Sequence, residues 1–101
     1  MKYNVNISKD AKKDLREIYN YIAIDLLSPQ TALNQLDRIE KAILSLDSMP
    51  ERHRIYDEKI NSMVRVLTVN NYCVFYIVNE EKRIVHIARV LYGGRNFNNI
   101  L

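Results

Sequence analysis

Cysteine, glycine and proline are all scarce in these 101 residues: one cysteine, two glycines and two prolines. The single cysteine, Cys73, excludes a disulfide framework, and with no Cys or His at metal-ligand spacing a zinc site is excluded too. A reducing compartment is expected, with Cys73 as a small buried apolar residue in a strand. The glycines are adjacent, Gly93 and Gly94, and no convincing helix follows them, so there is no glycine-rich phosphate loop. His53 and His86, the only histidines, are separated by a loop and two expected strands, which leaves neither a metal pair nor a Ser-His-Asp arrangement. No apolar run approaches bilayer length, and Met1-Lys2-Tyr3-Asn4-Val5 has no signal-peptide core. A cytoplasmic protein without a membrane partner is expected, and nothing calls for a cofactor.

What is present is an ordinary globular composition, 48% hydrophobic and 27% charged, enough for a single domain over residues 1–101 with one core. The net charge is +3 and unevenly spread. Residues 1–50 balance seven Lys/Arg against seven Asp/Glu, whereas residues 51–101 carry eight against five, with no acid after Glu81. The C-terminal half should therefore present a positive field suited to an anionic partner, although so small an excess is also common in proteins that bind none.

Hydrophobic periodicity gives the elements. Tyr3, Val5 and Ile7 alternate with Lys2, Asn4 and Asn6, as in a short strand with one wet face, expected at an edge of the sheet. Ser8 is placed to cap a helix whose apolar stripe is Ala11, Leu15, Ile18, Ile22 and Leu26. Ser28-Pro29 starts a second helix, with the stripe Ala32, Leu36, Ile39, Ile43 and Leu46, ending near Ser48-Met49 before Pro50. So short a connection makes the pair an antiparallel hairpin. Residues 51–62 hold no clear period and read as a loop crossing to the sheet.

Three runs rich in Val, Ile, Leu and Tyr come next, Met63–Val69, Tyr72–Val78 and Arg83–Tyr92. Asn70-Asn71 suits a type I′ hairpin turn, and Asn79-Glu80-Glu81-Lys82 makes a second hairpin, so the strands form an antiparallel meander. The fold expected is α+β, with the helices on one face of a four-stranded, mostly antiparallel sheet. Sorted by alternation, Arg83, Val85, Ile87, Arg89 and Leu91 share one face of the last strand and Ile84, His86, Ala88, Val90 and Tyr92 the other, so neither face is cleanly polar. Something covers part of the second face, or it is an apolar surface left open for a partner. His86 is expected to be a satisfied, partly buried histidine.

Arg65, Arg89 and Arg95, with Tyr92 nearby, are the set above background. Two or three converging guanidinium groups make a phosphate or carboxylate site, and tyrosines beside them can stack a base. A metal-independent ribonuclease needs such cations plus a proton-transfer group. The competing reading, simpler on spacing alone, pairs Arg65 and Arg89 with Asp or Glu from the crossing loop.

Several pieces, in order, carry a resemblance: Ile7-Ser8-Lys9-Asp10-Ala11-Lys12-Lys13-Asp14-Leu15, Ile18-Tyr19-Asn20-Tyr21-Ile22, Leu46-Asp47-Ser48-Met49-Pro50, Arg65-Val66-Leu67, Asn71-Tyr72-Cys73-Val74-Phe75-Tyr76, and Ile87-Ala88-Arg89-Val90-Leu91-Tyr92-Gly93-Gly94-Arg95-Asn96. Across essentially the whole chain, this resembles the ParE/RelE superfamily of bacterial type II toxin–antitoxin toxins. The resemblance implies a growth-inhibiting toxin, associated with plasmid stabilisation, that is neutralised by a cognate antitoxin in a hetero-oligomer. Two activities are implied. In a RelE-like nuclease cutting mRNA on the ribosome, Arg65, Arg89 and Arg95 would contact phosphate, with Tyr92 or His86 moving protons. A ParE-like toxin instead inhibits DNA gyrase without being an enzyme. Cys73 stands where the RelE pattern often has Arg, and no close Lys pair leads into Arg65, while the helical hairpin and the tail look more like ParE. A relative that only sequesters antitoxin is a third possibility.

Overall fold

Alternating β-branched and aromatic residues give the last third of the chain its strands, and a parallel first strand completes the sheet. The computed structural model describes residues 2–57 and 61–93. In chain order these form β1 (Asn4–Ile7), α1 (Lys9–Asn20), a π-helical turn (Tyr21–Asp25), α2 (Pro29–Leu44), two short 3-10 turns (Ser45–Asp47 and Pro50–Arg52), β2 (Ile55–Asp57), β3 (Asn61–Val69), β4 (Tyr72–Asn79) and β5 (Ile84–Tyr92). The sheet order is β1-β5-β4-β3-β2, with β1 parallel to β5 and the other pairs antiparallel. The helical hairpin lies on one face, as expected. The crossing segment is not all loop, however: Ile55–Asp57 adds a fifth strand by pairing with β3 at Arg65 and Asn61. Three residues among charges are too few to show a strand period in sequence.

The Ser8 side chain accepts the Ala11 amide at 3.0 Å, satisfying one orphan donor of α1. Ala11, Leu15, Ile18 and Ile22 are buried, as the stripe requires, but Leu26 is exposed. The π turn explains this departure. Its wider i→i+5 bond, from the Leu26 amide to the Tyr21 carbonyl at 3.0 Å, takes one extra residue per turn and rotates Leu26 and its successors off the stripe. From α2 and the 3-10 turn that follows it, Ala32, Ile39, Ile43 and Leu46 are buried against Val74, Tyr76, Val85 and Ile87 of the sheet. Each such large apolar side chain contributes about 1.5–3 kcal/mol by leaving water.

Two strand details depart from simple alternation. In the β4–β5 ladder Phe75 pairs with Arg89 but Tyr76 with Ile87, so Ala88 is an extra, bulged residue. Val85 and Ile87 face the helices before the bulge, Val90 does so after it, and Leu91 turns to the second face. The single alternation expected for Arg83–Tyr92 therefore breaks at Ala88. At the first hairpin only Asn70 has positive φ, 54°, so the turn is not the type I′ that needs it at both central residues. The second face is not an open surface. Val64, Val66, Phe75 and Leu91 are buried there, and the Tyr56 ring stands edge-on to Phe75 at 5.1 Å. Cys73 on this face is half-buried, and His86 is exposed instead of partly buried as expected. Among the described residues no helix is long and apolar enough to cross a membrane.

Candidate functional site

Of the basic and aromatic set on the sheet, Arg65, Arg89 and Tyr92 are placed by the structure, whereas Arg95 lies outside the described residues. Arg89 comes just after the bulge at the edge where β1 has ended, its last pair being Ile7 with Ile87. Beyond that point the exposed edge of β5 is satisfied by the start of α1. Ser8 Oγ donates to the Ala88 carbonyl at 2.9 Å, and the Val90 amide donates to Asp14 Oδ2 at 2.9 Å. Asp14 also accepts two bonds from Arg89, from Nε to Oδ2 at 2.7 Å and from Nη2 to Oδ1 at 2.9 Å. The pair is largely withdrawn from water, with side-chain exposures of 6% for Asp14 and 19% for Arg89. The two-pronged geometry raises the guanidinium pKa further above its ordinary value, the bond to Asp14 being the main cause.

Arg65 lies two strands away on β3, opposite Tyr76. Its Nη1 donates to the carbonyls of His53 at 2.7 Å and Glu51 at 3.1 Å, and Nη2 stands 3.9 Å from the Glu51 carboxylate. Tyr76 helps to hold the same segment, its hydroxyl donating to the Pro50 carbonyl at 2.6 Å, and burial pushes its pKa up to about 12. His53 sets its ring edge-on to Tyr76, with centroids 6.4 Å apart. Burial, then the nearby Arg52 charge, lower the His53 pKa. Arg65 is thus paired with the crossing segment, as one reading of the sequence expected. Arg89 is paired too, but with α1 rather than with that loop.

A third polar group joins the crossing segment to the β4–β5 turn. The Tyr3 hydroxyl donates to Glu80 at 2.8 Å and accepts from Arg83 Nη1 at 3.0 Å, while the Arg83 guanidinium lies 5.2 Å from the Tyr3 ring centroid. The interaction of the Glu51 and Glu80 carboxyl groups raises the Glu51 pKa and lowers that of Glu80. Arg65 and Arg83 flank this carboxyl pair, Arg83 Nη1 being 3.7 Å from Glu80.

Tyr92 is at the other end of the sheet. It is exposed, stands edge-on to Tyr72 at 5.6 Å, and is paired with it across β4–β5. Burial, and then the nearby Tyr92 and Tyr21, raise the Tyr72 pKa. At Gly93, the next residue, an added Cβ would sit 2.8 Å from the Asn71 carbonyl oxygen, so the close approach of the chain to the hairpin turn calls for glycine. The described residues therefore do not converge on one cationic site: Arg65 and Arg89 sit on different acids with β4 between them, and Tyr92 belongs to an aromatic group. No cluster of three or more His, Cys, Asp or Glu among them is placed to hold a metal ion.

The family model for the ParE toxin of the type II toxin–antitoxin system, parDE, matches residues 5–97. The chain belongs to the ParE toxin family. Solved structures with the same fold include a chromosomal ParDE toxin–antitoxin system from P. aeruginosa, at 20% identity and a TM-score of 0.74, covering 89% of this chain and 95% of that one. The RelBE2 toxin–antitoxin complex from Mycobacterium tuberculosis is similar at 20% identity and a TM-score of 0.65, covering 91% and 99%. A mutant of the E. coli RelE toxin in the free state matches at 19% and 0.62, covering 93% and 86%. No match was found among curated protein sequences. By that family the chain is a toxin of the type II toxin–antitoxin class.

The residue that sequence reasoning passed over in this ParE-family toxin is Asp14. It carried a signal, because Ala11, Asp14, Leu15 and Ile18 fall at i, i+3, i+4 and i+7, the inward face of α1. A carboxylate on that face requires a buried partner.

Proposed function

We propose that this toxin arrests bacterial growth by inhibiting DNA gyrase in the ParE manner, without cutting RNA, and that a cognate antitoxin neutralises it in a hetero-oligomer. The observation that carries this reading is the state of Arg89. A phosphate-binding guanidinium must present its donors outward, whereas this one makes both arms of a bidentate bond to the nearly buried Asp14. Taking Arg89 away would leave that carboxylate buried and unpaired, which is strongly unfavourable. Arg65 is likewise engaged by two carbonyls. The family match, and the ParDE system among the structural neighbours, support the same branch and the presence of an antitoxin.

The test is brief induction in bacteria, with transcript 5′ ends mapped and plasmid supercoiling measured in the same cells. Lost negative supercoiling and a DNA-damage response, with transcripts intact, are expected. New 5′ ends within translated codons, abolished by Arg65→Ala in a folded protein, would replace this reading with the RelE-like one.

A further inference from the structure

Arg65 and Arg89 use their donors inside the molecule, and the cations left free stand on α1. Lys9, Lys12, Lys13 and Arg16 are all exposed. At about 100° per residue they share an arc of about 100°, opposite the buried Ala11, Leu15 and Ile18. Lys9, Lys12 and Arg16 make no hydrogen bond or ion pair with any described residue. Lys13 reaches Glu17 only at 3.9 Å, with both side chains in water, a pair of little worth. By contrast Lys2, Lys41, Arg65, Arg83 and Arg89 each have an acid within 3.9 Å. The exposed acids of α1, Asp10 and Glu17, lie beyond Lys13, on the side turned to Arg89, whose cation they stabilise. Of the fifteen Lys and Arg in the chain, these four leave eleven, against twelve Asp and Glu, so the net positive charge belongs to this stripe.

The make-up of the stripe selects its partner. From Lys9 to Arg16 it runs about 10 Å along the helix, a length over which a DNA duplex carries about six phosphates. No apolar side chain interrupts it, and Asn20, the next residue in the arc, is polar and exposed. A protein partner needs a desolvated apolar centre to bind, which this face does not supply. A phosphate backbone needs only cations, because its affinity comes from the counterions they release. Single strands bind chiefly by stacking their bases on aromatic rings, and the arc holds none. We infer that the outer face of α1, through Lys9, Lys12, Lys13 and Arg16, binds the phosphate backbone of a nucleic-acid duplex without regard to sequence. The contact requires no gyrase, so it stands or falls separately from the proposed target.

The test is fluorescence anisotropy of labelled DNA and RNA duplexes of matched sequence, titrated with the purified full chain at several salt concentrations. The expected Kd is on the order of 1–100 µM at about 50 mM salt, and the logarithm of affinity should fall against that of salt with a slope of about −3 to −4. Binding of either duplex with that slope supports the inference, and the pair of titrations shows which backbone the stripe fits. Lys12→Gln combined with Arg16→Gln keeps good helix formers on an exposed face, so the circular dichroism spectrum should not change. Its affinity should drop at least about tenfold and its slope should lose about two units. Arg38→Gln with Lys41→Gln removes the same charge from exposed positions of α2 and should change affinity less than about threefold. No binding of either duplex at about 200 µM protein, tighter binding of a single strand than of the duplexes, or equal losses in the two double variants overturns the inference. Binding of polyglutamate where both duplexes fail overturns it too and gives the surface to an acidic protein.

Discussion

The two ends of the helical hairpin meet their surroundings in opposite ways. Where α1 begins, Ser8 and Asp14 bond the edge of β5, and the charge of Arg89 is turned inward and neutralised. At the tip the chain carries one charge, and its large apolar residues face outward. The end rich in residue types usually associated with chemistry is thus held together structurally, while the end built of residue types usually associated with cores is exposed. Residue type is a poor guide to role here. Whether a group has an internal partner is the better one.

Substitutions should separate the two ends sharply. Asp14→Ala leaves the Arg89 guanidinium without its acid and the Val90 amide without an acceptor, and should lower unfolding free energy by about 3–5 kcal/mol. Urea titration would show this, and replacing both Asp14 and Arg89 by Leu should restore most of the loss. A stable Asp14→Ala would mean that the pair does not hold the helix to the sheet.

Tyr76→Phe should have the next largest effect, about 1–3 kcal/mol, because the buried Pro50 carbonyl loses its donor. It also changes the alkaline limit. Below pH 10 the phenol is protonated in both folded and unfolded chains, and its contribution is complete. Between pH 10 and about 12 the unfolded phenol ionises first, so stability falls as pH rises, by up to about 2–3 kcal/mol. Urea midpoints from pH 9 to 12 should fall more steeply for the wild type than for Tyr76→Phe, and equal slopes would remove Tyr76 as the cause. At the tip, Leu33→Ser should move stability by no more than about 0.5 kcal/mol. A larger loss in the same titration would show that the tip is packed and erase the contrast between the two ends.

Much of the fold was legible because it depends on local period. Ala11, Leu15, Ile18 and Ile22 define one face of α1, and Ser8 marks its start, where the structure puts them. The features that escaped depend on single residues that break a period. Nothing in Ile84–Tyr92 marks Ala88 as the extra residue, since either phase of alternation places apolar side chains on both faces. Leu26 continued the stripe in spacing but not in space, because the π turn is set by its hydrogen bond and not by a residue pattern. The site was less legible than the fold. Arg65 and Arg89 stand out in sequence as charged strand residues, yet their partners, Glu51 and Asp14, lie 14 and 75 positions away. Only the three-dimensional pairing turns a possible phosphate ligand into an internal cation.

The position of β1 sets the order of events when the chain is made. Residues 4–7 find their ladder only with residues 84–87, and Tyr3, Ser8 and Asp14 bond groups 77, 80 and 75 positions later. The start of the molecule, β1, therefore has no partner along its sheet edge until β5 has been made. At ~5–20 residues per second, that interval is on the order of ten seconds in translation. Contacts of such long sequence separation also form slowly once available. A nascent copy passes this time with α1 and α2 able to form but the sheet edge unclosed, so the folded toxin appears only once β5 has been made.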